Sequence, residues 1–360
     1  MTPIELLYFI GYSIKKHYVV KNQKRLPHQV ISIGNITLGG TGKTPATIAL
    51  AREAKQRGYR PCILTRGYKG KAEGPCFVSR GERPLLNADE AGDEALLMAE
   101  KLGDIPVVKG KNRYEAGMFS LSSLASALQP DMFLLDDGFQ HWALFRDKDI
   151  VLIDSSVPFG NRRMLPLGIL REPIKEIRRA DIVVITKADH IVRDKSTAVL
   201  PTHPSPSRGE GKGGGVSHHP KIESLIKELK TYNPHAPIFF ADHKPSAFVT
   251  TTGESLPIQL AKGKRVFAFC GIGNPQSFRE TLLSAGLQIK GFLAYRDHHR
   301  YSAGDMQSIK DNAERTESEW IVTTEKDIMR LRSFSMPENL VSLAIEFTVD
   351  GKFYDEVFSY

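Results

Sequence analysis

The run from Ile31 to Ala51 constrains the fold more than any other part of this chain. An apolar β-type stretch, Val30 to Ile33, feeds a glycine-rich turn, and a small-residue segment from Pro45 onward has the composition of an opening helix. Strand, glycine turn and helix in that order build a phosphate cradle. Amides without a Cβ in the way approach phosphate oxygens, and the helix N-terminus adds the positive end of its dipole. The general pattern G-x-x-x-x-G-K-[ST] starts here on Thr37 instead of glycine. The cradle is therefore read as Thr37, Leu38, Gly39, Gly40, Thr41, Gly42, Lys43 and Thr44, with Gly39, Gly40 and Gly42 as the glycines that matter. Lys43 has the reach for β- and γ-phosphates, and the Thr44 hydroxyl suits Mg²⁺.

A chain of 360 residues with 41% apolar and 25% charged residues has the make-up of a soluble globular protein of two domains. The net charge of +8 asks for an acidic partner without choosing among nucleic acid, anionic lipid and a phosphorylated small molecule. Three cysteines, none in a C-x-x-C pair, indicate neither a disulfide framework nor a zinc site and fit a reducing cytoplasm. No apolar run reaches the length of a membrane span. The N-terminus is nevertheless unusual. Ile4, Leu7, Tyr8, Gly11 and Tyr18 recur at helical spacing, and Lys15, Lys16, His17, Lys21, Lys24 and Arg25 follow. A signal peptide has the opposite charge order. Two readings stand: an interfacial helix on an anionic membrane leaflet, or a helix packed on the protein's own core.

After the cradle, a helix to Arg57 and a buried strand at Pro61 to Thr65 complete a β-α-β unit. Arg66 then lies at the carboxyl end of that strand, where doubly wound sheets bind ligands. Residues 88–102 place four acids ahead of an apolar helical stretch. Asp93 after Gly92 is the carboxylate placed to accept a proton from an attacking hydroxyl, although acids at a helix start also simply suit the dipole. Ile105 to Val108 is another strand, trailed by Lys109, Lys111 and Arg113, a group suited to a substrate phosphate.

Asp131 to His141 is the second strong signal, an apolar strand ending in Asp136 and Asp137. Acids at a strand tip beside a phosphate loop hold Mg²⁺ on the phosphates, which casts Asp136 as the metal-side carboxylate. Adjacent residues of a strand end point opposite ways, freeing Asp137 to orient a histidine. Asp149 to Asp154 and Asp181 to Thr186 are further parallel-type strands. Arg171 and Glu172 lie together in the loop between them, the first suited to transferring phosphate and the second to a metal shell. Thr186-Lys-Ala-Asp189 resembles the base-reading element of GTPases, without a matching switch glycine.

Composition divides the chain into an N-terminal interfacial and basic segment (1–25), a phosphate-loop domain (26–200), a low-complexity, disordered insertion (201–220), a linker (221–261) and a smaller C-terminal α/β domain (262–360). His203, His218 and His219 fall in or beside flexible sequence and are given no metal role. In the last segment Gly271-Ile-Gly-Asn is half a dinucleotide fingerprint, and Asp297, His298 and His299 cluster in a polar loop that can face Asp137 across a cleft.

Gly34 to Pro45, Leu64-Thr-Arg-Gly-Tyr68, Gly92-Asp-Glu94, Asp136-Asp-Gly-Phe-Gln-His141, Leu170-Arg-Glu-Pro173, Gly271 to Pro275, Asp297-His-His299 and Thr324-Glu-Lys-Asp327 occur in the order seen in the tetraacyldisaccharide 4'-kinase family, which the chain resembles over nearly its whole length. The resemblance implies an α/β fold of phosphate-loop NTPase type, with a mostly parallel sheet and flanking helices. It further implies ATP and Mg²⁺, an acylated glucosamine disaccharide 1-phosphate as acceptor, peripheral attachment to the cytoplasmic face of the inner membrane, and no nucleic-acid partner. It assigns Asp93 as base, Asp137 with His298 as a supporting dyad, Lys43 to the phosphates, and Thr44, Asp136 and Glu172 to the metal. Arg66, Arg113 and Arg171 fall to the substrate. The rival class is a nucleotide switch of MinD/ParA or GTPase type at a membrane surface. The former carries lysine where this chain has Leu38.

Overall fold

The computed structural model describes residues 2–188 and 220–359. Most of the expected insertion, with Asp189 and the three histidines, lies outside them. A mostly parallel sheet runs through the described residues. Its N-terminal half has β1 (Gln29–Gly34) at the centre, β5 (Met132–Asp136), β2 (Pro61–Thr65) and β4 (Pro106–Lys109) to one side, and β6 (Lys148–Asp154) and β7 (Ile182–Thr186) to the other. All these neighbours are parallel; only β3 (Cys76–Arg80), at the edge on β4, runs the other way.

Burial on both faces explains the unbroken apolar runs. In β1, Ile31 and Ile33 face a core shared with Leu50, Ala51 and Ala54 of helix α2 (Lys43–Gln56), while Val30 faces one containing Leu26, Phe133 and Leu144. Each such fully buried aliphatic contributes roughly 2 kcal/mol.

β8 (Ile238–Thr250) carries the sheet into the C-terminal half. Its first residues pair in parallel with β7, and from Ala241 onward it pairs antiparallel with β13 (Leu340–Val349). Beyond β13 come β12 (Trp320–Thr324), β10 (Arg265–Cys270) and β11 (Gln288–Ala294), again parallel, and the short β9 (Ser255–Pro257) hangs on β8. The stretch expected as a linker, 221–261, thus contains a helix (Pro220–Tyr232) packed on the N-terminal half and the strand shared by both.

One element departs from its simplest sequence reading, and another, the N-terminal helix, departs from one of the two readings offered for it. The acidic lead-in to the expected helical stretch forms a short helix of its own, α3 (Ala88–Ala91), ahead of α4 (Asp93–Lys101). Gly92 between them has φ 90°, and a Cβ there would lie 2.5 Å from the Tyr68 carbonyl. That conformation and that contact suit glycine alone. The N-terminal helix α1 (Pro3–Lys21) opens with a capping box between Thr2 and Glu5. It is not an ordinary core helix, because its inward face is the polar one. Glu5, only 5% exposed, accepts from Arg163 at 3.0 and 3.1 Å. Tyr8 donates to the Arg171 carbonyl (3.0 Å), Tyr12 to Glu172 (3.0 Å), and Lys16 pairs with Glu176. Ile4, Leu7, Gly11, Ile14 and Tyr18 face outward, with Leu7 and Tyr18 each 70% exposed.

Candidate active site at the strand tips

Parallel pairing decides what meets at the carboxyl ends of the strands. Ile33 of β1 is level with Asp136 of β5, so the glycine loop and the acid pair emerge side by side. The loop is pinned by Leu38, whose amide donates to the Ile169 carbonyl (2.7 Å), and by a bridge between Thr37 and Leu170. Gly39 and Gly42 have φ 119° and 83°. A Cβ on Gly42 would fall 1.7 Å from His243 Nε2, so conformation and space both demand glycine there. Lys43 is the first residue of α2, and its ammonium lies 3.3 Å from Asn35 Oδ1 and 3.5 Å from Asp137 Oδ1. Thr44 is buried behind it, and the Thr41 hydroxyl is buried with no hydrogen-bond partner among the described residues. Thr186 and Lys187 lie against this loop. The Lys187 ammonium is 2.5 Å from Asp154 and 3.4 Å from the Gly40 carbonyl.

The two adjacent acids have opposite surroundings. Asp136 is buried and accepts from Thr47 and Thr65, each at 3.3 Å. Burial, then the neighbouring charges of Glu94 and Asp137, pushes its carboxyl up to about 7. Burial acts the same way on Asp137, but Lys43 and Arg171 outweigh it and hold that carboxyl near 2. Arg171 reaches Asp137 at 2.8 and 2.9 Å. A buried carboxylate that resists ionisation beside two further acids is a place for a cation. Among the described residues no three acids, histidines or cysteines converge to hold a metal unaided. That suits Mg²⁺, which is commonly bound through one or two carboxylates together with substrate phosphates.

One cleft of about 1550 Å³ joins these groups. It runs from Gly39–Thr44, Glu94, Asp136 and Asp137 past Arg66, Arg113, His141 and Arg171 to Leu7, Gly11, Tyr12 and Lys15 of α1, with His298 and Lys326 on the opposite wall. Arg113 is only 4% exposed, donates to the carbonyls of Gly110 and Lys111, and keeps a buried Nε with no partner among the described residues. Desolvation lowers its guanidinium to about 10. Burial, followed by Arg113, Arg146 and Arg66, holds the nearby His141 neutral, with a value near 3. This wall is built for an anion.

Two expected placements are corrected. Glu172 does not reach Thr44 or Asp136. It is fully buried under α1, accepting from Tyr12 (3.0 Å), Gln140 (2.5 Å) and Arg179 (2.6 Å), and is absent from the cleft wall. With three donors already on its carboxylate, it anchors α1. Asp137 does not pair with His298 either, being occupied by Lys43 and Arg171. His298 instead binds Asp93, Nδ1 to Oδ2 at 3.0 Å. Burial alone would raise the Asp93 carboxyl, yet the His298 bond and the Arg330 charge bring it well below the usual carboxylate range. Glu94 and Lys326, an ion pair across the cleft, escaped the sequence reading. Glu94 passed there as one of four helix-start acids, and Lys326 sits in a strand-end motif noted only within the family resemblance.

A glycine turn opening a helix at a lysine, with acids at the tip of the adjoining strand, defines a phosphate-loop phosphotransferase. Residues 1–359 match the family model described as tetraacyldisaccharide-1-P 4'-kinase. The chain belongs to that family. Among its relatives, the tetraacyldisaccharide 4'-kinase of Syntrophus aciditrophicus (strain SB) is 41% identical over 332 residues, spanning 91% of this chain and 82% of the relative. That of Halothermothrix orenii is 35% identical over 341 residues, 90% of this chain and 81% of the relative. Among solved structures, an "apo" form of LpxK from Aquifex aeolicus in complex with ATP superposes with a TM-score of 0.73 at 31% identity, covering 99% of this chain and 96% of that one.

Proposed function

We propose that this protein transfers the γ-phosphoryl group of ATP to the 4'-hydroxyl of a tetraacylated glucosamine disaccharide 1-phosphate, giving lipid IVA in lipid A biosynthesis, at the cytoplasmic face of the inner membrane. The observation that carries the reading is the unbroken cleft. It has a phosphate cradle at one end, a buried arginine whose Nε finds no partner among the described residues along its wall, and the apolar outer face of α1 at its mouth. A headgroup bearing phosphate and a body of acyl chains need those surfaces in that order. No helix among the described residues is long and apolar enough to cross a membrane. The inverted face of α1, with its basic following residues, instead supplies peripheral docking on an anionic leaflet.

Phosphoryl transfer needs little covalent help from the protein, so its residues act by placing charge. The amides of 38–44 and the Lys43 ammonium hold the triphosphate, and Arg171, tethered to Asp137, covers charge on the group in transit. Thr44 and Asp136 would hold Mg²⁺, which supplies charge neutralisation across the β- and γ-phosphates. Arg66 and Arg113 orient the acceptor's anionic groups. His298 faces the cleft, and its bond to Asp93 through Nδ1 leaves Nε2 to take the hydroxyl proton. Asp93, bound as it is, serves to orient that ring. The test is transfer of ³²P from γ-labelled ATP to the disaccharide lipid in mixed micelles. Label in the lipid with Asp93- and His298-dependent rate is expected; nucleotide hydrolysis that never labels the lipid overturns the reading.

A further inference from the structure

We infer that Arg330 is a positioning residue for this reaction, fixing the Asp93 carboxylate and, through it, the His298 ring across the junction of the two halves. The inference rests on the kinase reading above. Arg330 lies in the short helix Glu325–Leu331 that leaves the tip of β12, and its side chain is only 9% exposed. One edge of its guanidinium is tied down within the C-terminal half. Nη1 donates to Asp327 Oδ1 at 2.9 Å and to the Gly271 carbonyl at 3.0 Å. Asp327 is itself wholly buried and saturated, accepting from Tyr301 Oη (2.9 Å), the Thr324 hydroxyl (2.6 Å) and the Gly271 amide (3.1 Å). The other edge reaches into the N-terminal half. Nε donates to Asp93 Oδ2 at 3.0 Å, Nη2 pairs with the same oxygen, and Nη2 lies 3.3 Å from His298 Nδ1.

Three donors from the C-terminal half therefore meet one oxygen of an acid from the N-terminal half. An ion pair serving stability alone would have no need to converge on the atom that orients the cleft-facing histidine. The planar fork of arginine can bridge Asp327 and Asp93 at once; the single ammonium of lysine holds one or the other. Arg330 is thus the link that makes the ring's aim depend on the two halves being in register. Arg330 itself does not line the cleft, so it touches neither the phosphate loop nor the acceptor and acts through Asp93 and His298.

The test is steady-state kinetics of Arg330→Gln, Arg330→Lys and Asp327→Asn on the micellar lipid, with Asp93→Asn made alone and combined with Arg330→Gln. Arg330→Gln is expected to lower kcat about 10- to 100-fold with the KM for ATP changed less than about twofold, and Arg330→Lys to recover only part of the loss. The double variant should be within about threefold of Asp93→Asn alone, because one chain of contacts is broken in either case. Asp327→Asn, which keeps the shape of the buried acid, repeats the kcat loss and covers the event that Arg330→Gln does not fold. Multiplying losses in the double variant, or variants with wild-type kcat, overturn the inference while leaving the kinase reading intact. Failure of the wild-type protein to label lipid overturns that reading first.

Discussion

Lys43 and Asp136 sit 93 residues apart in the chain and line the same cleft. If, as proposed, Lys43 supplies charge to the phosphates, Lys43→Ala should cost about 10³-fold in kcat/KM on the micellar lipid, against about 10²-fold for His298→Ala. Equal losses would mean that the base matters as much as the cradle, contrary to the proposed mechanism. Asp136 offers a test by pH. Its carboxyl rises from an ordinary 3.8 to about 7 on folding, chiefly through burial. A raised value in the folded protein contributes stability fully below 3.8 and loses it as pH rises through about 7. In chelator and without nucleotide, Asp136→Asn should therefore flatten the fall in Tm between pH 5 and pH 8. At pH 8 it should be the more stable protein by about 1–2 kcal/mol, though inactive. A variant less stable than wild type at pH 8 would contradict the burial argument. These two residues were legible in the sequence because strand, turn and residue type specify them locally. Glu172 was not, since what it does depends on Tyr12, 160 positions away, lying across it.

At the scale of elements, α1 repays comparison with its sequence. The spacing of Ile4, Leu7, Tyr8, Gly11 and Tyr18 announced an apolar stripe, but periodicity cannot say which side of a helix meets the protein, and Tyr8 turns inward from that stripe. The answer came from the opposite side, where Glu5, Tyr8, Tyr12 and Lys16 each find a partner. Replacing Leu7 and Ile14 together by Glu should leave ATP binding and Tm unchanged, because both side chains point away from the fold. Sedimentation with anionic vesicles should fall at least about tenfold. Unaltered vesicle binding would refute the docking face. The parallel strands of the N-terminal half were all readable as unbroken apolar runs. β3, β11 and β13 were not, being edge or interrupted strands with weaker patterns, and β8 shows in the sequence only as the short apolar run Pro237 to Ala241, the part that pairs with β7.

Taken whole, the molecule is one sheet with a change of direction. β8 is the seam, and Ala241 pairs with Thr186 on one side and with Val349 on the other. The halves also meet where α4 joins the helix Glu325–Leu331 and the residue that caps it, through Glu94 with Lys326, Lys101 with Glu325 and Glu100 with Arg332. Composition had suggested a linker and a separate second domain, because it registers where low-complexity sequence intervenes and is blind to a strand that hydrogen-bonds to both halves.

The outward apolar ridge of α1 also bears on how the rate responds to concentration. A protein held on a surface meets its acceptor by lateral encounter, so what it senses is the mole fraction of that acceptor among the surrounding lipids. At fixed total acceptor, adding inert phospholipid or detergent should slow turnover in proportion to the dilution, and raising the bulk amount of micelles of constant composition should leave it unchanged once all protein is bound. A rate that follows bulk acceptor regardless of composition would place the encounter in solution, and the ridge would then need another purpose.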